Sequence, residues 1–131
     1  MRRRINNLIN LINEEAGIDI FRNTRRREYV EARALLIYIL RHYFGMRLSE
    51  MQTLFKRNGY PVHHATILHA LKNFKEVYLP FNPPVQDLYD KVLQEINDKI
   101  EFKIRDIQSK IESVPEDKLD EVKQLIDELI V

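Results

Sequence analysis

Arg25, Arg26 and Arg27 form an unbroken cationic run, and Arg2, Arg3, Arg4 and Arg22 lie upstream of it. Arginine carries a planar fork of donors that matches phosphate and the guanine edge, so such a run suits contact with a polyanion. The ordinary meaning of a charge cluster is a solvated loop. Its place just before a helix that supports a helix-turn-helix favours phosphate contact instead. A second group comprises His63, His64, Ala65, Thr66, His69, Lys72 and Asn73. At helical spacing Ala65, Thr66, His69, Lys72 and Asn73 fall opposite Ile67, Leu68, Leu71, Phe74 and Tyr78, as in a helix laid into the major groove.

Other chemistry fits these residues poorly. A helical metal pair needs ligands at i and i+4 on one face. His63, His64 and His69 stand at i, i+1 and i+6, and no acid follows on that helix before Glu76, so no metal site is expected. The absence of cysteine removes disulfides, thiolate zinc sites and thiol nucleophiles. Gly17, Gly45 and Gly59 are far apart, so neither a phosphate-cradling glycine loop nor a dinucleotide turn can be drawn. Ser49, Ser109 and Ser113 sit at helix starts or on polar helical faces, where serine needs no catalytic explanation. No catalytic residue and no cofactor are expected.

The elements that must position the two groups follow from apolar spacing and from the breakers. Ile5, Leu8, Ile9 and Ile12 make a short helix that Gly17 stops. A central helix runs from about Thr24 to Phe44, with the apolar run Ala34 to Leu40 inside it and Gly45 as its end. Its inner arginines, Arg33 and Arg41, read as structural. Leu48, Met51, Leu54 and Phe55 give a third helix closed by Asn58-Gly59-Tyr60-Pro61, and a fourth begins near His63. Two helices joined by a short turn, the second opening with small polar residues, form the helix-turn-helix pattern. Beyond Pro80 the character changes. Asn82-Pro83 is a helix start, and Val85, Tyr89, Val92, Ile96, Ile100, Ile104, Ile107, Ile111 and Val114 trace an apolar seam with one stutter. Pro115 and a second amphipathic stretch from Leu119 to Ile130 then predict a helical hairpin or a coiled coil.

Length and charge agree with this division. At 131 residues, with 44% hydrophobic and 31% charged side chains, the chain suits one small domain plus an appendage. The net charge of +1 conceals 14 Lys and Arg against 7 Asp and Glu in residues 1–79, and 7 against 13 in residues 80–131. A basic half is joined to an acidic one. No apolar run is long enough to span a bilayer, and Asn6, Asn7, Asn10 and Asn13 interrupt what would be a leader peptide. A cytoplasmic protein is expected.

The segment from Arg25 to Arg33, the hydrophobic helix after it, Leu48-Ser49-Glu50-Met51, Phe55 and above all His63-His64-Ala65-Thr66-Ile67-Leu68-His69-Ala70 resemble the C-terminal DNA-binding domain of the bacterial replication initiator DnaA. The family signature there is Asp-His-Thr-Thr-Val-Leu-His-Ala, identical at positions 64, 66, 68, 69 and 70. The resemblance covers roughly residues 1–79 and implies a Trp-repressor-like helix-turn-helix without the initiator's ATPase domain. It implies that Arg25 and Arg26 lie against phosphates and the minor groove, that His64 faces bases and that Thr66 bonds a phosphate. His63 and Ala65 replace two of the family's base readers, and the connection after Phe55 is longer, so a different DNA sequence is expected.

The expected protein is all-α, with a DnaA-like helix-turn-helix domain over residues 1–79 and an acidic amphipathic helical extension over 80–131. It would bind double-stranded DNA with some sequence preference in replication or transcription control. The alternative is a structural or adaptor protein using the same helices for protein contacts. A homodimer through residues 85–131, or a replication or other protein docked on the acidic helices, would cover the seam. A freestanding domain of this kind suggests a phage or mobile element, placing it at the nucleoid or in a host's cytoplasm.

Overall fold

The computed structural model describes residues 2–111 and residue 129; the expectations about Pro115 and most of the second amphipathic stretch lie outside them. The described residues are all-α, with no strand. The order is α1 (Arg2–Ala16), α2 (Arg27–His42), α3 (Leu48–Arg57), α4 (His64–Asn73), a π-helical turn (Phe74–Tyr78), the single turn α5 (Leu79–Phe81) and α6 (Pro83–Ile111). Two compact units result, Met1–Val92 and Leu93–Val131. The first unit therefore continues past the boundary that the prolines and the charge change suggested, because Val85 and Val92 are buried in it.

α2 is the axis of the first unit. It lacks an apolar–polar alternation because it is covered on most sides: Tyr29, Ala32, Ala34, Leu35, Leu36, Ile37, Ile39 and Leu40 are all buried. α1 lays Ile5, Leu8, Ile9 and Ile12 against the same core, and α2 packs on α1, on α4 and on the π-helical turn. α3 adds Met51, Leu54 and Phe55 and packs on α4. Gly45 and Gly59 take φ of 63° and 81°, left-handed values that end α2 and open the turn between α3 and α4.

On α4 the buried stripe is narrower than the sequence suggested. Ile67 and Phe74 are fully buried, Leu71 and Tyr78 are half-buried, and Leu68 is 49% exposed. Steps of four, three and four connect residues 67, 71, 74 and 78, whereas Leu68 sits ~100° around the helix from Ile67. After the π-helical turn, Asn82 caps α6 by accepting the Val85 N–H at 3.3 Å, with Pro83 at the first helical position. Tyr89 then joins an aromatic cluster, its ring centroid 5.9 Å from that of Tyr38 and 5.6 Å from that of Phe74. This packing ties the first turns of α6 to α2.

Candidate nucleic-acid interface

The loop between α1 and α2 has a built-in anchor at each side. Gly17 ends α1 at φ 68°, and the Asn13 side chain then accepts the Ile20 N–H at 3.1 Å. Ile20 is fully buried, and Phe21 meets Phe55 edge-on with centroids 5.3 Å apart. From there the loop needs partners for its carbonyls, since no ladder or helix supplies them. A single buried side chain does so. Arg33, only 6% exposed, donates from Nε to the Ile20 carbonyl, from Nη2 to the Arg22 carbonyl and from Nη1 to the Thr24 carbonyl at 2.8 Å. The same Nη1 donates to the Tyr60 hydroxyl at 3.0 Å, and the guanidinium carbon lies 3.9 Å from the Tyr60 ring centroid. Burial lowers the Arg33 pKa from its ordinary value, and Tyr60 opposes that shift. Four acceptors on two connecting segments explain why a charged residue is tolerated inside an apolar helix.

Thr24 continues the chain of support, its hydroxyl accepting the N–H of Arg26, the N-cap residue of α2, at 3.3 Å. Helix α2 thus starts two residues later than expected, and Thr24 supports the cap position without occupying it. Arg25, Arg26 and Arg27 are all exposed, but they are not equivalent. Arg27 is paired with Glu31 at 2.7 Å, and that bond raises its pKa. Glu31 also accepts from the Asn82 amide at 2.9 Å, so the carboxylate links the start of α2 to the start of α6. Neither Arg25 nor Arg26 has an ion pair among the described residues. Beside them a recess of about 180 Å³ is lined by Arg22, Asn23, Thr24, Arg26 and Tyr29. Two guanidinium groups and polar side chains at the first turn of a helix make it suited to an anion.

The second group lies on α4. His63 is the extended residue before the helix, and its side chain makes no cap. His64, Ala65, Thr66, His69 and Lys72 are all exposed, His64 at the start of the helix and the other four along one face. Asn73 is half-buried and its amide lies 3.0 Å from His69 Nε2, one helical turn away, which links two neighbouring members of this polar face. The turn before α4 is braced from α3, where Gln52 donates to the Val62 carbonyl at 3.3 Å. The two groups approach each other through Arg33: Thr24 lies two residues before Arg26, Tyr60 lies four before His64, and both bond Arg33 Nη1.

Among the described residues no group of three His, Asp or Glu side chains could hold a metal ion, and no helix is long and apolar enough to cross a membrane. Spacing reads Arg33 as structural, Asn82 only as the start of a helix and Tyr60 only as part of a turn, and it gives Glu31 no role. The one available signal was an arginine beside an uninterrupted apolar run. No family model, curated protein or solved structure matches the chain.

Proposed function

We propose that the chain binds double-stranded DNA with some sequence preference, as a binding protein and not an enzyme. The observation that carries the reading is the exposure of Arg25 and Arg26, without an ion pair among the described residues, on a loop braced to the turn that precedes an exposed polar helix face. Arg25, Arg26 and the recess beside Arg22 take phosphates, and the first turns of α4 enter the major groove. Following the DnaA resemblance, His64 faces a base edge and Thr66 a phosphate, while His63 and Ala65 shift the preferred sequence away from the initiator's. Lys72 and Asn73 complete the face. Control of replication or transcription is the role that this chemistry serves.

The test is binding of the full chain to duplex DNA over a salt series. Each phosphate contact releases counterions and contributes a slope of about −0.9, so several contacts give a steep loss of affinity with salt. A flat response rejects the reading. A second reading, an adaptor that contacts proteins, is favoured by Phe81, 78% exposed, with Val77, 49% exposed, one turn earlier. It predicts salt-insensitive behaviour towards DNA and loss of protein binding on Phe81→Ser.

A further inference from the structure

We propose that Arg33 is a positioning residue for duplex binding: it makes the arginine loop and the turn before α4 a single body, so that Arg25 and Arg26 meet DNA in register with the polar face of α4. The inference rests on the DNA-binding reading above.

Three observations lead here. The carbonyls of Ile20, Arg22 and Thr24 alternate along an irregular segment, and one guanidinium serves all three. Its Nη1 is divided between that segment and Tyr60, which belongs to the connection into α4. Arg33 is itself buried and unable to touch a ligand, so any effect on DNA must pass through the groups it holds. Lysine cannot replace it, since one ammonium on a flexible stem does not reproduce a planar fork directed at several acceptors. Without the clamp, DNA has to order the loop as it binds, an entropic cost that lowers affinity on the order of tenfold. The arginines then hold fewer phosphates at fixed positions.

A purely architectural arginine would behave differently. Its loss would lower the melting temperature and leave the remaining folded molecules with an unchanged salt slope.

The experiment measures full-chain binding to a random-sequence duplex across salt, well below each variant's melting temperature, for wild type, Arg33→Gln, Arg33→Lys and Tyr60→Phe. Each is made in the natural background and in one carrying Arg25→Ala and Arg26→Ala. Both Arg33 variants should lose about tenfold in affinity, and the salt slope should fall by about two, one for each arginine released. In the background lacking Arg25 and Arg26 the same substitutions should have little further effect, the non-additivity expected of residues acting through one another. Tyr60→Phe keeps the ring under the guanidinium and removes only the shared hydroxyl; it should show a smaller loss with the same dependence on background. An unchanged slope in the Arg33 variants, or equal losses in both backgrounds, overturns the inference while wild-type binding stands. If the wild-type chain does not bind duplex, the DNA reading and the inference fall together. Amide exchange at residues 22–26 without DNA then reports on the clamp alone, which should be faster in Arg33→Gln than in wild type.

Discussion

At the scale of single residues, three neighbouring arginines of one chemical type have two different situations. Glu31 pairs with Arg27 within α2, whereas Arg25 and Arg26 are exposed and have no carboxylate partner among the described residues. Arg26→Ala should therefore lower the salt slope by about one and weaken all sequences alike, and Arg27→Ala should change the slope less; titration of a labelled duplex at several salt concentrations separates them. His64 and Thr66 should separate in another way, because only a base contact carries sequence information. His64→Ala should relax selectivity at one or two base pairs in a selection from random DNA, while Thr66→Ala should lose affinity evenly. The arginine run stands out by residue type and spacing, whereas the roles of His64 and Thr66 rest on the DnaA resemblance. Arg33 does not stand out, since its acceptors are main-chain carbonyls, and any residue at positions 20, 22 and 24 provides one. Sequence distinguishes side chains, so a site built by a side chain on backbone leaves only the oddity of a charge beside an apolar run.

At the scale of elements, the breakers were the most readable feature. Gly17, Gly45 and Gly59 all take the left-handed conformation that their positions after helices require, and Asn82-Pro83 starts α6 as its chemistry dictates. Which faces the helices bury was less readable, and α6 shows why. Val85, Tyr89 and Val92 form a stripe that requires cover, but a stripe does not state whether the cover is another chain or the same one. The aromatic cluster supplies the answer for these residues, with Tyr89 against Tyr38 and Phe74 and its hydroxyl 3.2 Å from that of Tyr43. Burial and the neighbouring tyrosines raise the Tyr89 pKa above its ordinary value. The neutral phenol is thus favoured by folding: the stabilisation is complete below the unfolded pKa of about 10 and is lost as pH rises beyond it. Melting temperature measured from pH 8 to 11 should fall more steeply for wild type than for Tyr89→Phe, which keeps the ring contacts and cannot ionise. Equal slopes would show that the hydroxyl is better solvated than its surroundings suggest.

At the scale of the whole molecule, the acidic composition that begins at Pro80 does not coincide with the end of the first compact unit. The charge balance is a property of surfaces, whereas the extent of a fold is set by what its core needs. Val85 and Val92 are 2% and 0% exposed, and burying an aliphatic or aromatic side chain contributes roughly 1.5–3 kcal/mol. Together with Tyr89 they supply on the order of 5 kcal/mol, comparable to the whole stability of a small domain. A chain ending at residue 79 should therefore lose cooperative unfolding or melt far below one ending at residue 96, although both contain every candidate DNA contact. Near-ultraviolet circular dichroism follows this directly, since the shorter chain loses Tyr89 and leaves Tyr38 and Phe74 exposed. The same comparison bears on assembly. Val85, Tyr89 and Val92 are engaged within one chain, so a dimer seam must draw on residues beyond them. If Val92→Asp lowers the melting temperature of the 1–96 chain at every protein concentration, these residues belong to the fold of the monomer. A destabilisation that vanishes on dilution would instead assign them to an interface between chains.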